Sequence, residues 1–236
     1  MKEKLKFLFS IPYFILAALV IWVQISGMTN WENILKPSLL IILIWWFIVE
    51  SRMFKQKLNI LFLAALFFSL LGDIFLMPFF NVFILGLVFF LLSHLFYISV
   101  FLKGNYGFIR KILKQGAPYV IIVTSIYLSL LAYLIPSIID LNSLILLIAV
   151  PVYASVLLIM VLSTFVYSKV NYNQFGQFVM MGGLFFLVSD GILAINKFGE
   201  KIDNSAFWVM GSYVIAQWML VYGFRNVDRL KASSKQ

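Results

Sequence analysis

Asp73, in LLGDIFLM, and Asp190, in LVSDGILAINKF, are single carboxylates set inside apolar runs long enough to cross a bilayer. An ionised carboxylate at that depth is costly, and residues of this kind mark proton transfer, ion binding or substrate contact more often than packing. Few other reactive side chains accompany them. The one histidine, His94, has Tyr97 three positions on and so on the same helical face. Tyr153 lies in a later apolar run, and Tyr213 and Gln217 share a face at i, i+4 spacing. For each tyrosine the competing role is an interfacial or packed aromatic with a satisfied hydroxyl. Lys36, beside Pro37, is expected to open a helix at headgroup depth, where it either snorkels or grips a phosphate. Ser189 flanks Asp190, and Asn196 follows it.

This inventory prunes the chemistry. Cysteine is absent, which removes disulfides, thiolate nucleophiles and cysteine-ligated metals or haem. A zinc hydrolase needs three or four ligands, usually with several histidines, so no metal and no cofactor are expected, with an oxygen-only Mg²⁺ site on the aspartates left open. A serine nucleophile would want a base and a Gly-x-Ser-x-Gly elbow, and no such elbow occurs. A retinal pump would want a lysine in the middle of its last helix, which is missing. Acid–base chemistry by two carboxyls, or ion-coupled transport through them, remains.

The elements that position these residues follow from composition. The chain is 63% hydrophobic and only 11% charged, with a mean hydropathy of +1.02, values that no soluble globular domain reaches. At roughly 20 apolar residues per crossing, its 236 residues hold one bundle of eight transmembrane helices and no second domain. Hydropathy and punctuation residues predict crossings at 6–26, 34–50, 58–77, 80–102, 116–135, 143–167, 174–196 and 204–223, with 226–236 a short basic tail ending in the disordered stretch KASSKQ. The first crossing ends in WVQISGMT without a small-x-small cleavage pattern and is read as an uncleaved helix. Of the 18 Lys and Arg residues, all but Lys36, Lys197 and Lys201 fall in the termini and the even-numbered loops. The positive-inside rule then puts both termini in the cytoplasm. The net charge of +9 reflects this topology and attraction to anionic headgroups; nucleic acid is not needed to explain it.

On this parse both aspartates lie roughly 6 to 9 Å below the outer helix ends, at 1.5 Å rise per residue, and are expected to share a cavity. FFSLLGD and LFFLVSD are alike and the aspartates are separated by 117 positions, about half the chain. A 4+4 tandem repeat about an axis along the membrane normal fits that spacing.

In this order the residues resemble a known family. Lys36-Pro37, Gly72-Asp73 followed by Phe75-Leu76, His94 with Tyr97, Tyr153, the Ser189-Asp190 run through Leu193-Ala194 to Phe198, and Tyr213 with Ala216-Gln217 look like the pattern of the YhhN-like membrane proteins, over about residues 30 to 222. That family includes the animal lysoplasmalogenases. The resemblance implies an eight-helix integral membrane hydrolase that cleaves the vinyl ether bond of a lysophospholipid, lysoplasmalogen, releasing a fatty aldehyde and a glycerophospho-alcohol. The chain itself is expected to be a multi-pass protein of a bacterial inner, or plasma, membrane.

The residues suit that chemistry. Vinyl ether hydrolysis begins with protonation of the β-carbon and continues with water attack on the resulting oxocarbenium ion, so it needs one carboxylic acid and one carboxylate, as in paired-carboxyl glycosidases. Asp73, in the more apolar setting, is expected to be the acid and Asp190 the water-activating carboxylate. Lys36 is expected to hold the phosphate, while His94, Tyr97, Tyr153, Ser189, Asn196, Tyr213 and Gln217 orient substrate or water. Two other classes compete. A lipid or small-solute transporter would use the aspartates to carry protons or Na⁺ and would form no product; Gly182-Gly183 is the one candidate break in a helix for such a site. A non-catalytic protein would use its polar residues to join helices, and would tolerate Asp→Asn changes.

Overall fold

The computed structural model describes residues 10–50, 57–103 and 109–233. Their apolar runs form helices: α1 (Ser10–Ile25), α2 (Thr29–Glu50), α3 (Lys57–Leu76), α4 (Phe83–Leu102), α5 (Ile109–Gln115), α6 (Ala117–Asp140), α7 (Leu144–Val170), α8 (Gln174–Phe198) and α9 (Ser205–Ser233). No strand forms among the described residues. Seven helices, α2 to α4 and α6 to α9, are long and apolar enough to cross a membrane, and α1 is a shorter apolar helix of 16 residues. The all-α membrane bundle expected from hydropathy is therefore the fold. The expected start of the first crossing, and the basic residues Lys2, Lys4, Lys6, Arg52, Lys55 and Lys235, lie outside the described residues.

Three boundaries differ from expectation, each for a local reason. The second helix opens at Thr29, not beside Lys36-Pro37: Glu32 in its first turn suits the positive end of the helix dipole, and Pro37 is carried inside. That extra turn puts Glu32 and Lys36 on one face at i, i+4. In α6 the chain likewise passes through Pro136 to Asp140, beyond the expected end at 135. The last helix does not stop at 223. It runs to Ser233 because its far end still has a core to meet: Phe224, Arg225 and Val227 are buried, the Arg225 guanidinium lies 4.2 Å from the centre of the Trp46 ring, and Asn59 donates to Asp228 at 3.4 Å. Most of the expected tail is thus helix. The short α5 was expected to be loop. Its sequence IRKILKQ alternates apolar positions 109, 112 and 113 with basic ones, a pattern suited to the headgroup region.

Because the helices alternate in direction, the turns after α1, α3, α6 and α8 all face one side of the bundle. Each contains one residue in the left-handed region, Gly27, Asn81, Asn142 and Asn204, with φ between 46° and 68°. Glycine and asparagine are the residues that adopt this conformation at least cost, and their use here makes these connections tight. Asp73 and Asp190 stand near this end of α3 and α8.

Packing is most extensive between α8 and α9 and between α3 and α4. The main core runs through α1 to α4 and α7 to α9, with Phe62 stacked on Phe224 at 4.4 Å. α6 stands at the edge: Val123 joins the main core and Tyr119 stacks on Phe165 at 4.4 Å, while the other end of the helix is tied by a small cluster of Leu134, Ile138, Val150 and Phe198. Gly182 and Gly183 let α8 approach two neighbours at once. A Cβ at Gly182 would sit 3.1 Å from the Ala216 carbonyl oxygen of α9, and one at Gly183 would sit 2.5 Å from Thr164 Oγ1 of α7. The helix runs unbroken through both glycines. Gly183→Val should lower the thermal midpoint of the detergent-solubilised protein, through overpacking of about 1–3 kcal/mol, whereas an unchanged midpoint would mean that α7 and α8 are not in this contact.

Candidate active site

Helix spacing delivers the polar residues as two nodes. In the first, Asp73 of α3 accepts a hydrogen bond from Tyr213 Oη of α9 at 2.7 Å, and Lys36 Nζ of α2 lies 4.0 Å from its other carboxylate oxygen. One helical turn from Tyr213, Gln217 Nε2 donates to Tyr213 Oη (3.2 Å) and to Ser69 Oγ (3.1 Å), while its carbonyl accepts from Tyr97 Oη (2.9 Å). Ser69 and Ser93 hydroxyls are 2.7 Å apart, and Ser93 donates to the Ala65 carbonyl. Tyr97, Gln217, Ser69 and Ser93 are all buried. This network fixes the Tyr213 hydroxyl against Asp73 from below, and a fully connected buried network of this kind holds one geometry.

In the second node, Tyr153 Oη of α7 donates to Asp190 Oδ2 of α8. His94 Nε2 of α4 lies 3.0 Å from Tyr153 Oη and 3.6 Å from the same Asp190 oxygen. His94 is wholly buried, and its Nδ1 has no hydrogen-bond partner among the described residues. The Nε2–H tautomer therefore lets His94 donate to Tyr153, which donates to Asp190, and leaves a bare acceptor at Nδ1.

The two nodes are wired alike. Lys36 and Tyr153 each precede the aspartate they approach by 37 positions. Each aspartate is also met by the helix that follows the other one: α9 supplies Tyr213 to Asp73, and α4 supplies His94 toward Asp190. A twofold relation between halves produces this kind of exchange, which favours the 4+4 arrangement.

Both carboxylates line one cleft of about 250 Å³ on the tight-turn side, together with Lys36, Ser189, Asn196 and Tyr213. The rim is polar: Gln24, Glu32, Asn81, Lys197 and Ser205 also line it, with Gln24 donating to Glu32 at 2.7 Å. Asp190 alone of the pair also lines a second, apolar cavity, walled by Leu87, Leu134, Val150, Leu157, Phe198 and the Tyr153 ring. Asp190 thus sits where a polar cleft meets a hydrocarbon-lined one.

Several residues take positions that spacing did not predict. Tyr97 and Gln217 stand behind Tyr213, away from the cleft wall. Ser189 spends its hydroxyl on the Val209 carbonyl (3.0 Å), and Asn196 Oδ1 accepts from the Ile202 amide (3.1 Å), so both brace α8 against its turn and α9. Ser69, Ser93, Gln24, Glu32, Asn81 and Lys197 were not foreseen. A signal existed for Ser69, four positions before Asp73 and on its face. Among the described residues, no three His, Asp or Glu side chains gather in one place.

The fold and this cleft define a multi-pass helical membrane protein with a pair of intramembrane carboxylates at the junction of a polar and an apolar cavity. Comparison with protein families carries this further: residues 31–224 match the YhhN family, and the chain belongs to it. No curated protein and no solved structure matches the chain.

Proposed function

We propose that this protein is a membrane hydrolase that cleaves the vinyl ether bond of lysoplasmalogen, taking a single-chain lipid from the bilayer and releasing fatty aldehyde and a glycerophospho-alcohol. The observation that carries this reading is the position of Asp190, on the wall of both the polar and the apolar cavity, with Asp73 and Lys36 on the polar side. A lysolipid has the matching shape: a charged head, one chain, and the reactive bond between them. We also propose, on the charge pattern, that both termini face the cytoplasm and that the cleft opens to the opposite side of a plasma membrane.

Chemistry then assigns the carboxyls. Counting from the head, the lipid presents ether oxygen, C1 and C2, so C2, the carbon that takes the proton, lies deeper along the chain. The carboxyl placed to reach it is Asp190, which lines the chain cavity; Asp73, 4.0 Å from the Lys36 ammonium on the polar side, is placed to act on the water. This reverses the allocation expected from local sequence, which shows neither the approach of Lys36 to Asp73 nor the apolar cavity. Asp190 protonates C2, the C1–oxygen oxocarbenium ion forms, and Asp73 takes a proton from the water that adds to C1. In the second step, the Asp190 carboxylate removes the hemiacetal hydroxyl proton while Asp73 returns its proton to the departing glycerol oxygen. Both groups end as they began. Tyr153 and His94 orient Asp190, and Tyr213, braced by Gln217 and Tyr97, orients Asp73.

Two observations weigh against a transporter: α8 is continuous through Gly182-Gly183, and the polar groups converge on a cleft at one side of the bundle. The test is aldehyde release from lysoplasmalogen by purified protein. Uptake without product would overturn the hydrolase reading. Tyr153→Phe removes one donor to Asp190 and should lower kcat about 10- to 100-fold, the value of a hydrogen bond to a charged or proton-transferring group, with KM little changed. Wild-type kcat would free Tyr153 of any role in positioning the acid.

A further inference from the structure

A groove of about 520 Å³ runs along the lipid-facing side between α6 and α8, lined by apolar side chains apart from the Tyr119 hydroxyl. Two of its residues, Leu130 of α6 and Gly191 of α8, also line the apolar cavity that ends at Asp190. The groove and the cavity therefore share a wall, and the glycine in it directly follows Asp190 in sequence.

Gly191 is otherwise unexplained. Gly182 and Gly183 on the same helix are held small by close neighbours, but a Cβ at Gly191 would meet only Leu130 Cδ2, at 3.7 Å, an ordinary contact. A glycine inside a helix costs about 1 kcal/mol relative to alanine. Close packing does not account for it, and the bare backbone leaves the Leu130 side chain as the contact that closes the gap between groove and cavity.

The alternative route, through the polar cleft, would drag a hydrocarbon chain past Lys36, Glu32 and Lys197, at about 0.8 kcal/mol for each CH₂ moved out of an apolar environment. A chain that slides in from the bilayer stays in hydrocarbon throughout. We propose that the gap between α6 and α8, at Leu130 and Gly191, is the lateral entry through which the single hydrocarbon chain of a lysolipid passes from the membrane to the cavity beside Asp190. This rests on the proposed reading of that cavity as the chain site.

The test uses a saturated alkyl-ether lysolipid with a photoreactive diazirine near the chain end, and purified full-length protein in lipid nanodiscs. Illumination should label α6 and α8 in the wild type. Gly191→Phe, and independently Leu130→Trp, should reduce that labelling, and should lower the ratio of long-chain to short-chain vinyl ether turnover by about tenfold or more, the scale of exclusion from a shaped apolar site. Met181→Trp, on an exposed face of α8 outside the groove, should change neither. Labelling that avoids α6 and α8, or that both bulky variants leave intact, would overturn the entry. So would a dimer that either variant dissociates, because the groove would then be an interface between copies. The labelling lipid cannot be hydrolysed, so labelling of α6 and α8 without aldehyde release from lysoplasmalogen would contradict the proposed reaction and leave the entry standing.

Discussion

Replacing either aspartate by asparagine should abolish turnover while the protein still folds. The expected loss is about a thousandfold or more for each variant, within the range that a positioned acid or base supplies. Asparagine keeps the size and one acceptor oxygen of aspartate, so Tyr213 can still donate at position 73 and Tyr153 at position 190. Asp73→Asn replaces the contact with Lys36 by an ion–dipole one, and at 4.0 Å that contact is already longer than a hydrogen bond. Thermal melting of both variants should therefore stay close to wild type. The reaction cycle also predicts that the double variant is no slower than the worse single one, because both carboxyls act in each step and residues that act as a unit are not additive. Near-wild-type turnover in either single variant would remove that residue from the chemistry.

The second large effect is on the substrate. A lysolipid with a vinyl ether should be cleaved, and its saturated alkyl-ether counterpart should not, with a ratio of at least about a thousandfold, comparable to the contribution of the acid itself. A saturated ether has no electron-rich carbon to accept a proton, so the first step does not exist for it. Its head and chain are unchanged, however, and it should bind. Competitive inhibition with a constant near the KM of the vinyl ether is the expected companion result, since groups remote from the reacting bond contribute equally to both lipids. Equal hydrolysis of the two lipids would refute protonation at carbon.

Much of the fold is legible in the sequence because the bilayer imposes it. Hydrophobic runs must be long enough to span, and the segments containing Asp73, His94, Tyr153, Asp190 and Tyr213 were each placed on the helix that carries them. Helix ends were less legible. Hydropathy falls where α9 leaves the apolar region, yet the helix continues to Ser233 because Phe224 and Val227 are buried. No local signal predicts that, since the surface they pack on comes from distant helices. The site divides the same way. Residue type alone pointed to the carboxylates, because charge in hydrocarbon is rare enough to be informative. The pairing of Tyr213 with Asp73 and of His94 and Tyr153 with Asp190 joins helices far apart in the chain, and spacing within one helix does not carry it. Nothing in the sequence marks Glu32 or Lys197, since charges near helix ends usually have no role beyond solvation; only the cleft brings them to the same wall as Asp73.

Hydrolysis of lysoplasmalogen in D₂O, with the aldehyde trapped by immediate reduction, tests the central claim most directly. Carbon protonation by a solvent-exchanged carboxyl held at Asp190 places one deuterium on a single face of C2 of the released chain, so one configuration at C2 is the expected product. Aldehyde with deuterium on both faces of C2 in equal amount would contradict it, because the carbon would then have gained its proton in solution, from an enol released when the carbon–oxygen bond broke first.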